Sequence, residues 1–534
     1  MNFSTIDLIV FSGWIIFMMG FGIWISRGKQ DTTQNYFLAS KSLPWWAVGG
    51  SLIASNISAE QFIGMSGSGY VVGMAIASYE LMAAITLIIV AKYFLPVFLK
   101  KGIYTMPQFL EERFDKRVRT GLAVFWVLLF VFVNITSVLY LGGLALKTIM
   151  GIPLIYGVIG IAIYASTFSI FGGLKAVVWT DVIQVAVLIF GGLLASYMVL
   201  DALGGSFMGG FQTLMERAPE KFDMILDKAN PEYMNLPGIS VILGGMWIAN
   251  LYYWGTNQYI IQRALAAKSL KEAQMGASFA ALMKIILPII VVVPGIAAFV
   301  LGADIAKPDE AYPWVLNNYV SVGFKGLAFA ALIAAIGSSL SSMVNSTSTI
   351  FTLDIYRPFF MKMGKGEFLD SHDSDSPSLS DAQEKHLVKV GKITAAVALV
   401  IGIMVAPALG NLDQAFQYIQ EYTGFISPGV VAVFLLGMFW KRTSTNAALF
   451  AVIASIPLSM FFKFMTPGLP FIDRMGVSFL IIAGIMVVIS LMENKGDDQH
   501  AINIEKGLFK TSPAFNAATV AVCGILAVIY AMWW

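Results

Sequence analysis

The 534-residue sequence predicts an all-α polytopic membrane protein of about fourteen transmembrane helices. Three observations carry that prediction. Apolar residues make up 57% of the chain and charged residues only 12%, about half the charged share of a typical soluble domain. A soluble fold of this size buries about three-quarters of its surface, too little to hide so much apolar side chain. Apolar runs of about 20 residues, the length of a bilayer core, recur from end to end. The remaining composition excludes other classes. The single Cys523 allows no disulfide framework or thiolate cluster, and His372, His386 and His500 all fall in polar connecting segments. A formal charge of +2 gives no electrostatic footprint for nucleic acid.

In chain order the candidate spans cover residues 5–26, 45–65, 69–98, 118–148, 152–172, 176–201, 237–262, 273–304, 322–356, 389–408, 412–440, 445–466, 473–493 and 513–534. The first lacks a cationic leader and a small-residue cleavage site, so it reads as a retained helix rather than a signal peptide. The second and seventh contain polar residues at mid-span. The third and eighth are apolar runs with a charge well inside them, Glu80 and Lys284, and the ninth is rich in serine and threonine. The others are mainly apolar. Between them lie two larger polar loops, 202–236 and 361–388; the second contains DSHDSDSPSLSDAQEKH and reads as a disordered linker without chemistry.

About 25 of the 34 lysines and arginines fall in loops that follow odd-numbered spans, among them Arg27, Lys29, Lys100, Lys101, Arg113, Arg263, Lys268 and Arg442. Cytoplasmic loops are the cationic ones, so both termini are expected outside.

Irregular backbone at membrane depth survives only where it lines a protein-enclosed or watery cavity. The second span contains the polar cluster Ser51–Leu52–Ile53–Ala54–Ser55–Asn56–Ile57–Ser58–Ala59–Glu60–Gln61. The seventh contains Trp247–Ile248–Ala249–Asn250–Leu251–Tyr252–Tyr253–Trp254–Gly255–Thr256–Asn257. They are five spans apart. Paired interrupted helices in corresponding positions point to a transporter built from an inverted repeat, here spans 2–6 and 7–11. The plainer reading is that Ser and Asn glue helices together.

Five stretches, SLIASNISAEQFIGMSGSGY (51–70), AVVWTDVIQ (176–184), NLYYWGTNQYIIQR (250–263), SSLSSMVNSTSTIFTLDIY (338–356) and AFQYIQEYTGFISPG (415–429), resemble the sodium/solute symporter family. Within it they are similar to the sodium/glucose cotransporter branch and its bacterial sodium/galactose symporters. The resemblance covers essentially the whole chain. It implies one membrane domain over 1–534 with an inverted five-plus-five fold of the leucine-transporter type. The repeats would cover about 45–201 and 237–440, with peripheral helices at 5–26, 445–466, 473–493 and 513–534. It also implies a bacterial inner-membrane location with periplasmic termini, sodium and a sugar as small-molecule partners, and membrane lipid around the chain. No nucleic-acid or obligate protein partner is expected.

Ala335, Ser338 and Ser339 stand at i, i+3 and i+4, on one face of the ninth span. Hydroxyls there suit a hard monovalent cation equally with close helix packing. The resemblance assigns the carbonyls of Ala54, Ile57 and Ala335 and the hydroxyls of Ser338 and Ser339 to sodium. A proton-coupled design would carry a carboxylate or histidine at this position, and none is evident in the sequence. Asp181 reads as a first-turn carboxylate at a helix N-terminus, or, by the resemblance, as a station on sodium's exit route.

Glu80 and Lys284 are costly inside apolar runs and mark either a mutual neutralising pair or a substrate path. Side-chain amides both donate and accept, as sugar hydroxyls require. The resemblance places Gln61, Glu80, Asn250, Lys284 and Gln420 on a hexose. It makes Tyr253 the inner gate, hydrogen-bonded to Asn56, and Met65 and Phe416 an outer apolar lid. One departure is Ala83, where the galactose-transporting pattern has serine; it weakens the choice of galactose over glucose. The implied activity is sodium-coupled hexose uptake by alternating access. The alternatives are symport of another small solute, such as sialic acid or proline, and a membrane sugar sensor that binds without concentrating. Nothing in the sequence suggests covalent chemistry or a nucleotide site, so an enzyme is not expected.

Overall fold

The computed structural model describes residues 4–27, 31–363, 367–368, 379–411, 415–493 and 496–534. The strands among them are one two-residue hairpin, Lys362–Met363 with Glu367–Phe368; the rest of the regular structure is helical. In chain order the helices that build the core are α1 (Thr5–Ser26), α2 (Trp45–Asn56), α3 (60–71), α4 (Met74–Lys101), α5 (Lys116–Met150), α6 (Leu154–Ile170), α7 (Gly172–Gly204), α8 (246–256) and α9 (Gln258–Leu265). They continue as α10 (Leu270–Val300), α11 (Phe324–Phe360), α12 (Asp381–Gly410), α13 (Ala415–Thr423), α14 (Ser427–Phe439), α15 (Thr445–Met465), α16 (Phe471–Glu493) and α17 (Pro513–Met532). Ten of these, α1, α4, α5, α7, α10 to α12 and α15 to α17, are long and apolar enough to cross a bilayer, and α6 and α14 are shorter apolar helices.

Burial sorts the helices into a centre and a rim. The apolar window of α11 is 94% buried, whereas those of α1, α17 and α15 are 11%, 17% and 22% buried. An apolar helix that is not buried by protein must be covered by lipid, so these three face outward. The centre is tight because small residues let backbones approach. A Cβ on Gly337 of α11 would lie 2.2 Å from the Tyr164 ring of α6, and one on Gly191 of α7 would lie 2.8 Å from Ala331. At the rim, α1 is tied to α11 by its buried Asp7, whose carboxylate accepts from the Gly323 and Gly326 N–H groups, both at 2.8 Å.

Several boundaries differ from the sequence reading. The second span does not end at 65: its second half, α3, runs to 71, and α4 starts only at Met74. Gly73 separates them with φ +90°, a conformation that costs a residue with a Cβ but not glycine. The Lys221 ammonium caps this turn, donating to the Val71 carbonyl at 2.5 Å. The tenth span starts at Asp381, not 389, because Ser380 and Gln383 form a capping box. The end of the supposed linker, Asp381 to His386, is therefore helical; residues 364–366 and 369–378, including His372, lie outside the described residues. The polar loop 202–236 contains the helix Phe207–Arg217, packed with Phe211 and Phe222 against Trp533.

Candidate functional site

Both interrupted spans break with the same backbone conformation. Beyond α2, Ile57 is extended at φ −75°, ψ 110°, and between α8 and α9, Asn257 is extended at φ −76°, ψ 122°. At the first break the freed N–H groups are satisfied locally. The Ser58 N–H and hydroxyl donate to Gln61 Oε1 at 2.9 and 3.1 Å, and the Glu60 N–H donates to Ser58 Oγ at 3.0 Å. The carbonyls preceding the break have no such helical partners and point toward α11.

Those carbonyls meet a serine. Ser339 Oγ lies 3.4, 2.9 and 3.1 Å from the carbonyl oxygens of Ala54, Ser55 and Ile57. Ala335 and Ser338 are buried on the same face of α11. The set is neutral oxygen throughout, which suits a hard cation of low charge and offers nothing to a soft metal. Ser338 points differently: its hydroxyl donates to Asp181 Oδ1 at 2.5 Å. Asp181 also accepts from Ser51 at 2.5 Å and Ser55 at 3.4 Å, and the Ser55 hydroxyl lies 2.9 Å from Ser342, which the Arg263 guanidinium contacts. The first-turn reading of Asp181 fails, because α7 starts at Gly172 and Asp181 lies deep inside it, fully buried. The expectation of no carboxylate near the serine face also fails. Asp181 comes from another helix, which no local pattern reveals.

One cavity lies between the two breaks. Gln61 of α3, Glu80 of α4, Asn250 of α8, Lys284 of α10 and Gln420 of α13 all line it. The buried Lys284 ammonium contacts both Glu80 and the Asn56 side-chain oxygen, and it sits 4.9 Å over the Trp254 ring. A buried ammonium in an apolar run is tolerable only with such partners. Asn56 Nδ2 donates to the Tyr253 hydroxyl at 3.0 Å. Asn250 Nδ2 donates to the Met246 carbonyl at 3.1 Å, leaving its oxygen free as an acceptor.

Phe416 lines the cavity with Tyr79, their rings edge-on at 5.2 Å, whereas Met65 is fully buried elsewhere in α3 and does not reach the cavity wall. Ala83 lines the cavity one turn from Glu80. Sequence reasoning singled out neither Glu60, Tyr79 nor Trp254, although all three line it. Adjacency to Gln61, Glu80 and Tyr253 was the available signal, but in a straight helix neighbours point about 100° apart, so adjacency alone does not place a side chain on the same face.

The sequence profile of the Sodium:solute symporter family matches residues 36–455. The chain belongs to the sodium:solute symporter family. As a member of it, the protein is a sodium-coupled, multi-pass membrane transporter rather than an enzyme. A sodium/glucose cotransporter of Vibrio parahaemolyticus is 53% identical, the match covering 99% of this chain and 98% of that protein. The human sodium/myo-inositol cotransporter 2 is 31% identical over 85% of this chain and 69% of its own length. Among solved structures, a Na+-coupled sialic acid symporter in a substrate-bound outward-open state superposes with a TM-score of 0.79 at 24% identity, covering 92% of this chain and 99% of that one. A nucleobase-cation-symport-1 family transporter in a closed conformation gives 0.57 at 15% identity, covering 91% and 98%. At those identities the likeness is one of fold. For this symporter the sodium ion is cargo, and the neutral oxygens around Ser339 fit it.

Proposed function

We propose that this symporter takes up a hexose, glucose or galactose, driven by inward sodium flow through alternating access. The observation that carries the reading is the cavity in which four amides, Asn56, Gln61, Asn250 and Gln420, and the Glu80–Lys284 pair converge next to the break at Ile57. Amides and a charged pair offer the mixed donors and acceptors that a polyhydroxylated ring needs. The 53% identical sodium/glucose cotransporter supports the same substrate class.

Sodium would sit between the carbonyls of Ala54, Ile57 and Ala335 and the hydroxyls of Ser338 and Ser339. Asp181 lies on its way inward. Gln61, Glu80, Asn250, Lys284 and Gln420 would hold the sugar hydroxyls, with Tyr253 and Asn56 as inner gate and Phe416 as outer lid. The matching backbone at Ile57 and Asn257 supports an inverted repeat over about 45–201 and 237–440 within fourteen crossings. The exposed cations that follow odd-numbered spans, such as Arg27, Lys100 and Lys268, support cytoplasmic placement of those segments and outside termini. Arg113 and Arg263, read from the sequence as loop residues, are instead buried within helices and do not bear on that placement. A potential near 100 mV supplies about 2.3 kcal/mol per sodium, enough for a roughly fiftyfold sugar gradient.

A sialic acid substrate is less favourable. The cavity holds two carboxyl groups, Glu60 and Glu80, against one ammonium, so an added anion meets like charge. The deciding experiment is a sodium-jump uptake assay in proteoliposomes with labelled galactose and unlabelled competitors. Accumulation above the external concentration supports the symporter. Binding without accumulation supports a sensor.

A further inference from the structure

We infer that Glu60 is a specificity-determining residue of this cavity, its carboxylate accepting a hydrogen bond from one particular hydroxyl of the substrate. The inference rests on the hexose reading above and adds a contact to it. Glu60 follows the first break and lines the cavity beside Gln61. Its Oε1 is buried, and no donor among the described residues reaches it. The neighbouring donors are committed elsewhere: the Lys284 ammonium to Glu80 and Asn56, and the Asn56 amide to Tyr253.

The division of labour around the break makes this orphan informative. Both polar groups of Ser58 donate to Gln61 Oε1, so Gln61 presents its amide N–H groups to the cavity and acts there as a donor. A sugar hydroxyl that accepts from such a donor still carries a proton to give away, and an adjacent carboxylate is the strongest acceptor a protein can offer it. A buried carboxylate oxygen without a donor is costly while the site is empty and becomes satisfied when the right hydroxyl arrives. A site built this way rejects an analogue that lacks the hydroxyl, because the analogue leaves the carboxylate unpaired.

The test uses the full-length protein in proteoliposomes with sodium present. Galactose, glucose and their singly deoxygenated analogues compete against labelled galactose in wild type, Glu60→Ala and Glu60→Gln. Among the analogues, the one lacking the partner hydroxyl is expected to bind about ten- to hundredfold more weakly than its parent in wild type, the range for a hydrogen bond to a charged group. In Glu60→Ala the parent weakens toward that analogue, while the analogue barely changes. Glu60→Gln keeps shape and one acceptor and falls between. Sodium-dependent thermal stabilisation shows that each variant is folded, and the near-isosteric Glu60→Gln carries the comparison if Glu60→Ala is not. The same ratios of parent to analogue in all three proteins, with hexose uptake intact, overturn the role of Glu60 alone. No hexose uptake by the unaltered protein overturns both readings.

Discussion

Asn56 holds two partners at once: its side-chain oxygen accepts from the Lys284 ammonium while its amide donates to the Tyr253 hydroxyl at 3.0 Å. It is the last residue of α2, directly before Ile57, whose carbonyl lies 3.1 Å from Ser339 Oγ. One residue therefore touches the charged pair of the cavity and the aromatic proposed as inner gate, and is bonded to the backbone proposed to hold sodium. A ligand that draws Lys284 away leaves the Asn56 oxygen without its donor, and a sodium ion that fixes Ile57 fixes the start of the break. This gives occupancy a physical route to Tyr253 through differential contacts rather than distance.

Asn56→Ala removes both bonds. Two interactions of about 1 kcal/mol or more are lost on one side of the gate, so sugar is expected to leak from preloaded proteoliposomes several-fold faster without sodium. Efflux of labelled sugar measures it. A wild-type efflux rate in the variant would show that Asn56 does not hold the gate.

Ser339→Ala deletes the hydroxyl that meets three break carbonyls. Losing one ligand of about 1–2 kcal/mol raises the sodium concentration for half-maximal uptake by roughly five- to thirtyfold. Sugar affinity at saturating sodium stays close to wild type. Sodium titration of initial uptake rates checks this; an unchanged midpoint would remove Ser339 from the cation site.

Lys284→Ala leaves Glu80 buried without its ammonium, a change that typically costs about 3–5 kcal/mol. Uptake is expected to vanish and the melting temperature to fall. Adding Glu80→Gln removes the orphaned charge, so the double variant recovers much of the thermal stability while uptake stays absent. Thermal unfolding and uptake on the same preparations separate the two effects. Equal melting temperatures for the single and double variants would contradict the pairing energy.

Ala83→Ser adds a hydroxyl to the cavity wall one turn from Glu80. A neutral hydrogen bond of about 0.5–1.5 kcal/mol shifts the galactose-to-glucose preference by roughly two- to tenfold. Sodium affinity stays put, since residue 83 belongs to no cation ligand. Competition by both sugars in the two proteins decides it, and an identical ratio would make position 83 plain packing.

Much of this was readable along the chain. A bilayer imposes its condition locally: each crossing needs its own apolar run, so composition and run length determined a multi-pass helical protein without any tertiary information. The breaks at 57 and 257 were legible for the same reason, because polar residues at membrane depth contradict an uninterrupted helix unless they face a cavity. Glu80 and Lys284 stood out as charges where charge is expensive.

Pairing was a different matter. Asp181 meets Ser51 across 130 residues, and Lys284 meets Asn56 across 228. A carboxylate on α7 is invisible from the serine face of α11 until both helices are packed. The turn at Gly73 and the capping box at Ser380 moved boundaries that hydropathy alone misplaces, since hydropathy registers burial and not backbone dihedrals. Met65 and Glu60 show the limit at single residues. Both flank the same break, yet the helical twist beyond it buries the methionine away from the cavity and presents the carboxylate to it. The sequence by itself determined which residues must be enclosed; only the packed helices decided which enclosed residues face one another, because that depends on crossing geometry and on the rotation of each half-helix after its break.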